Sequence, residues 1–230
     1  MNKTLKTILS ILFAVLICGL VYLIYNSVMQ PVRFNKAAGA REKVAIQQLK
    51  DIRSLQEAFK SVNGRFTPSF DSLKQFYSSG EMVVLMQVGS KDDSASVAHT
   101  EAVKKANKGI SDEGLYKLYL AGDQALVFSV KNKIAVRDTL FNGRKDFDIS
   151  KIDLIPFSGG QKVEMAATVK EVSGVQVPLF EAKMPYKALL LGLDNQLRIN
   201  MDAERRDAGR YEGLQVGSIT APNNNAGNWE

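Results

Sequence analysis

His99 is the only histidine in this chain of 230 residues. It stands in a polar stretch with no cysteine and no second imidazole to complete a zinc site, so it reads as a surface side chain. Cys18 is the only cysteine. It lies inside an apolar run, where one thiol can neither close an internal disulfide nor hold a metal. Gly159-Gly160 and Gly213-x-x-x-Gly217 lack the following Lys-Ser/Thr of a phosphate loop and read as turns. Lys91-Asp92-Asp93 lacks the alternating ligand spacing of a calcium loop and reads as a solvated loop. Asp202, Glu204, Arg205, Arg206 and Asp207 form a mixed charge run, expected to be a solvated face with weak ion pairs. The serines have no usable base beside them. The expectation is a non-enzymatic protein without cofactor or metal.

The elements that would position these residues begin with a membrane segment. From Thr7 to Val32 no residue is charged, and the core ILSILFAVLICGLVYLIYNSVM runs from Ile8 to Met29. About 20 apolar residues suffice to cross the hydrocarbon layer as a helix. Tyr22 and Tyr25 lie toward the far end, where amphipathic rings favour the interface. A cleaved signal peptide fits less well, because the run exceeds the usual apolar region and no A-x-A-like site follows. A lipoprotein signal ending at Cys18 would want a small residue where Ile17 stands. The reading is an uncleaved single-pass anchor: a short cytoplasmic tail (1–6), a transmembrane helix (7–30), and a C-terminal domain on the extracytoplasmic, periplasmic side of the inner membrane.

The net charge of +6 supports that layout. Lys3, Lys6, Arg33 and Lys36 flank the apolar run with no acid among residues 1–36, and the rest of the chain carries a net of only +2. Basic flanks suit anionic membrane lipid. No basic stripe with interleaved aromatics is present, which argues against nucleic acid as a partner.

Beyond Pro31 the helical pattern resumes. Ala45, Leu49, Ile52, Leu55, Phe59 and Val62 recur every three or four residues as one apolar stripe, while Gln47, Gln48, Lys50, Asp51, Arg53 and Glu57 make a solvated face. Asn63-Gly64 ends it. Residues 31–64 are therefore an amphipathic stalk, continuous with the membrane helix over about 55 residues. Residues 65–222 are expected to form one α+β domain. Ser69 caps a short helix with Phe70, Leu73, Phe76 and Tyr77. Met82–Met86 with Val88 reads as a buried strand.

Residues 89–113 are small and polar and read as an exposed, flexible insertion, with at most a helical turn over Glu101–Lys108. Leu115–Leu120, Ala125–Val130 and Ile134–Phe141 are expected to pair as short strands, although the second pattern also fits a helix. Gln161–Val172 and Val175–Met184 form a hairpin across Ser173-Gly174, with Pro178 marking a bulge or an edge. Ala188–Leu193 is a helical turn or short strand, and Leu197–Met201 a strand. Residues 223–230 are a tail with one anchor, Trp229.

One stretch carries a resemblance. LKDIRSLQEAFKSVNGRFTPSFDSLKQF, Leu49–Phe76, resembles the segment that follows the N-terminal helix in type IV pilins and type II secretion pseudopilins. The helix end and turn fall on Asn63, Gly64, Arg65, Phe66 and Pro68. The prepilin processing motif is absent: residues 5–9 read Leu-Lys-Thr-Ile-Leu, and the apolar run has no glutamate. The resemblance implies a pilin-like fold, a transmembrane helix running into an amphipathic helix packed on a small antiparallel sheet. It implies a structural subunit of a cell-envelope assembly, with self-assembly or envelope proteins as partners. The alternative is a membrane-tethered binding module. Candidate interface residues are Leu49, Ile52, Leu55, Phe59 and Trp229, and the same stripe serves equally as the domain's own core.

If the apolar run is an anchor and not a signal, mass spectrometry of the protein from its native membrane recovers the peptide containing Lys3 and Lys6. A mature N-terminus beyond residue 20 would refute it.

Overall fold

A single helix, α1 (Lys3–Asn63), runs through the apolar segment, past Pro31 and on through the amphipathic stripe. The computed structural model describes the chain from Lys3 to Glu230, with side chains from Ile11 onward. Met1, Asn2 and the side chains of Lys3 and Lys6, which make up the expected basic tail, lie outside the described residues. Helix α1 ends where the sequence places a stop. Gly64 takes φ +72°, and its N–H donates to the Lys60 carbonyl at 2.8 Å. A glycine adopts that left-handed turn without steric cost.

The chain divides into two compact units. The first comprises the chain up to Ser54, Phe66–Phe70 and Ser150–Glu230. Its sheet has three antiparallel strands in the order β3 (Glu164–Val172), β4 (Val175–Pro185), β5 (Gly213–Gly217). The β3–β4 hairpin closes on Ser173 and Gly174, both with positive φ, and pairs Val172 with Val175. Two positive-φ residues give the turn whose twist matches that of the strands. Pro178 faces Val169 in unbroken register, so there is no bulge. β5 pairs only with Glu181–Pro185, so the strand is an edge at Pro178 and central further on. Buried here are Ala45, Leu49 and Ile52 of α1 with Phe180, Ala182, Met184, Leu189 and Val216. The Phe66 ring packs on Phe180 at 4.8 Å between centroids.

Two expectations change in this unit. Leu197–Met201 is not a strand but part of helix α7 (Asn195–Asp207), because the Asp194 carboxylate caps it, accepting from Leu197 N–H at 2.9 Å. Gly213 and Gly217 are not turn residues; they bound β5. A Cβ on Gly213 would meet the Met184 carbonyl oxygen at 2.3 Å, and one on Gly217 the Phe180 carbonyl oxygen at 2.3 Å. The glycines are there for close backbone approach. Ala188 and Leu189 lie in a one-turn helix, α6 (Tyr186–Leu189). The tail is held to β5: Gly217 N–H donates to Ala226, and Asn228 N–H to Gln215.

The second unit comprises Leu55–Arg65 and Asp71–Ile149. Helix α2 (Phe70–Ser79) leads into β1 (Glu81–Val88), which pairs antiparallel with β2 (Phe128–Ala135) as a two-stranded sheet. The segment expected to be a flexible loop holds helix α3 (Ser94–Ala106). Asp93 caps it, accepting from Ala95 and Ser96 N–H groups, and Lys91, Asp92 and Asp93 are an exposed turn ahead of the helix, as read from the sequence. Thr100 fixes the helix to the sheet: its buried Oγ1 accepts from Val127 N–H at 2.8 Å and donates to the Ser96 carbonyl.

Leu115–Leu120 is helical, not a strand, within α4 (Asp112–Leu120). Ser111 caps it and Asp112 and Glu113 occupy its first turn, so local capping outweighs the apolar run. β2 begins at Phe128, later than expected, and Val136–Thr139 forms a helical turn, α5, in place of the third strand. One core packs Val88, Leu115, Leu126, Phe128 and Val130, and another Ala58, Phe76 and Val136.

Leu49 is fully buried, so Leu49→Ala should cost roughly 2–5 kcal/mol through lost transfer energy and a cavity. Gly217→Ala adds a left-handed-backbone penalty of about 1–2 kcal/mol to the clash with Phe180. Denaturant unfolding of the full chain in detergent checks both, and wild-type midpoints would refute this packing.

Candidate functional site

From Ile11 to Val32, α1 turns its side chains outward around its whole circumference: Leu12, Phe13, Leu16, Leu20, Tyr22, Leu23 and Ile24 are all exposed, and so is Cys18. A protein in water buries such surface, so this half of α1 is the candidate functional element. It is one helix long and apolar enough to cross a membrane, near the N-terminus, and compatible with an anchor or a signal sequence.

Burial begins where the apolar run ends, with Phe34 and Ala38. Four polar side chains of α1 then hold the first unit to the helix. Gln30 Nε2 donates to the Asp194 carboxylate at 2.5 Å. Arg41 donates to the carbonyls of Leu189 and Leu191 at 3.1 and 2.8 Å, and its guanidinium lies 5.0 Å from the Phe157 ring centre. Gln48 Nε2 donates to the Ile152 and Leu154 carbonyls, both at 2.8 Å. Arg53 donates to the Asn225 carbonyl and to the Glu230 carboxylate at 2.8 Å. Three of the four donate to main-chain carbonyls far away in sequence and so tie those segments to α1. Asp51 and Gln56 are buried as well. The face expected to be solvated is therefore interior at Asp51, while Lys50 and Glu57 stay exposed.

The Asp194 cap is held below the usual carboxylate range by the Leu197 N–H and by Gln30. Above it opens a cleft of about 360 Å³ lined by Asn26, Gln30, Arg33, Phe34, Leu193 and Asp194. A larger one, about 610 Å³, is lined by Lys187, Arg198, Asp202, Arg206, Arg210 and Tyr211 among others.

Behind the larger cleft sits the charge run read as a solvated face. That reading is corrected at Asp202, which is buried and paired with Arg198. Burial raises its pKa against the pull of Arg198. Arg205 stacks over the Tyr186 ring at 4.9 Å, and Arg206 pairs with Glu212 at 2.6 Å. Burial first, and then the Glu42 carboxylate, push the Tyr186 phenol above its ordinary value. Tyr186 Oη and one Glu42 oxygen are buried without a partner in hydrogen-bond geometry.

Of the candidate residues, Leu49, Ile52 and Leu55 are fully buried within the chain, which matches the core reading of the stripe. Phe59 is half-buried and meets Phe76 edge-on at 5.3 Å. Trp229 is half-buried with its ring against Gly227, and its Nε1 is enclosed without a partner. His99 pairs with Asp123 at 2.9 Å and remains partly exposed. Among the described residues no three metal-ligating side chains converge. Sequence reasoning missed the clamps Gln30, Arg41, Gln48 and Arg53. For Gln48 and Arg53 the available signal was their place one position from the stripe members Leu49 and Ile52; Gln30 and Arg41 lie before the stripe and carry no such mark.

The chain matches no protein-family model, no curated protein and no solved structure.

Arg53 holds the Glu230 carboxylate below its ordinary value of 4.5. A carboxylate with a lowered folded pKa stabilises the fold above its unfolded value, and that contribution fades as pH falls through the folded one. The Tm gap between wild type and Glu230→Gln should therefore be open at pH 7 and shrink below about pH 4.5. A gap independent of pH would mean that the Arg53 pair contributes nothing.

Proposed function

We propose that this chain is a non-enzymatic, membrane-anchored structural or interaction subunit of a cell-envelope assembly, pilin-like in layout. On this reading residues 7–30 span the inner membrane and the domain stands on the extracytoplasmic side. The observation that carries the proposal is the change of environment along α1. One helix passes from exposed apolar side chains on every side to a face buried by protein, with its backbone unbroken at Pro31. A helix satisfies its own backbone hydrogen bonds and so is suited to cross from lipid to water. The clamps at Gln30 and Arg41 begin within a few turns of Val32, so the domain follows the anchor with no flexible linker. A subunit that must hold a fixed posture at a membrane needs such a junction. The helix end at Asn63-Gly64 and the antiparallel sheets agree with a pilin-like plan.

A tethered binding module is the second reading, favoured by the cleft of about 610 Å³ that carries Lys187 and Arg210 beside the Arg198–Asp202 and Arg206–Glu212 pairs, a net positive lining. Its ligand would be anionic.

Alkaline carbonate extraction of native membranes should leave the full chain in the pellet, and deletion of residues 1–32 should release it. External protease acting on spheroplasts should degrade the domain. Release of the intact chain by carbonate would exclude the anchor, and a protected domain would reverse the topology.

A further inference from the structure

Among the described residues the β1–β2 sheet has two strands, so each has one edge that pairs with no other strand. Such a hairpin is marginal alone, and an exposed edge strand is a template for another chain. β1 reads Glu81-Met82-Val83-Val84-Leu85-Met86-Gln87-Val88. It lacks the usual edge protections: no proline, no lysine, and a single charge at its first residue. Among the described residues its only backbone pairing along Glu81–Val88 is with β2. In an antiparallel pair, alternate residues turn their N–H and C=O groups away from the partner strand, so half of β1's groups face outward. Val83 is 59 % exposed and Leu85 62 %, an unusual exposure for two aliphatics on one face of a strand.

The strand is also nearly symmetric about Val84. Antiparallel pairing with a second β1 across a two-fold axis at Val84 places Met82 opposite Met86, Val83 opposite Leu85, and Glu81 opposite Gln87. Each residue meets one of its own kind or a neutral hydrogen-bonding partner. Parallel in-register pairing would instead set Glu81 against Glu81.

The neighbouring strand completes the match. Val83 pairs with Lys133 of β2, Leu85 with Lys131, and Lys133 lies 3.9 Å from Glu81. In a four-stranded sheet ordered β2, β1, β1, β2, the four exposed aliphatics adjoin at the centre and the lysines stand outside them. The lysines of the two copies are then three strand spacings apart, about 14 Å, beyond the screening length at physiological salt. An apolar centre with a charged rim is the ordinary plan of a protein interface.

We infer that β1 is a self-complementary edge on which a second copy of this chain adds antiparallel about Val84, an isologous contact. This deepens the structural-subunit reading by naming the partner, but it rests on the hairpin alone. Loss of the membrane anchor would leave it standing.

The test is disulfide trapping of the full chain in detergent, in a Cys18→Ser background. Val84→Cys should give a covalent dimer under mild oxidation, because residue 84 faces its own copy. Glu81→Cys should not, because its copy lies six residues away, about 20 Å. Met82→Cys mixed with Met86→Cys should trap a mixed dimer, and each alone should trap far less. Adding Leu85→Lys to Val84→Cys should abolish the dimer while leaving the circular dichroism unchanged, since Leu85 is exposed in the monomer. No dimer at Val84, equal trapping at 81 and 84, or an adduct with a different protein in place of the dimer would each overturn the inference. Carbonate resistance of the same protein would show that only this contact had failed.

Discussion

The rest of this structure depends on one helix meeting two environments. Apart from its ends and Pro31, helix α1 keeps its backbone hydrogen bonds internal, so the surroundings can change from residue to residue at little cost to the main chain. What changes is the side chains. From Ile11 to Val28 the side chains, mostly apolar, are exposed, and from Phe34 on one face is buried. Pro31 lies between the two regimes, where loss of one N–H costs least in packing. The exposed half would be destabilising in water, whereas the buried half seats the core of the first unit.

The clamps along α1 follow from that core. A main-chain carbonyl buried without a donor costs about 1–3 kcal/mol. Gln48 and Arg41 supply donors from a helix that has already satisfied its own backbone. Asp51, which looks like part of a wet face in the sequence, is interior. In the second unit Thr100 plays the corresponding part, one hydroxyl serving both helix α3 and the chain at Val127. Among the described residues the outer edge of β1 pairs with no further strand.

Where sequence pattern and structure diverge, local capping is the recurrent cause. Asp93, Ser111 and Asp194 each accept from the first turn of a helix, in α3, α4 and α7. By pattern alone the segments they begin resemble loop or strand, because their apolar residues are few or contiguous. A carboxylate or hydroxyl at the right offset decides the matter when hydrophobic periodicity is weak. The β3–β4 hairpin, by contrast, was legible to its turn residues, because alternation and a Ser-Gly turn agree there.

The sequence by itself determined the long apolar helix, the stripe from Ala45 to Phe59, the helix stop at Asn63-Gly64 and the hairpin at Ser173-Gly174. Each is set by contacts within a few residues, where period and turn chemistry act directly. Tertiary structure alone decided that Gln48, Arg41 and Arg53 are clamps, that Asp202 is buried, and that Gly213 and Gly217 line a strand. Their partners lie from about 30 to more than 170 residues away along the chain, apart from the Arg198 that pairs with Asp202. A polar side chain or a glycine carries no local mark of which distant carbonyl or strand will come to rest against it.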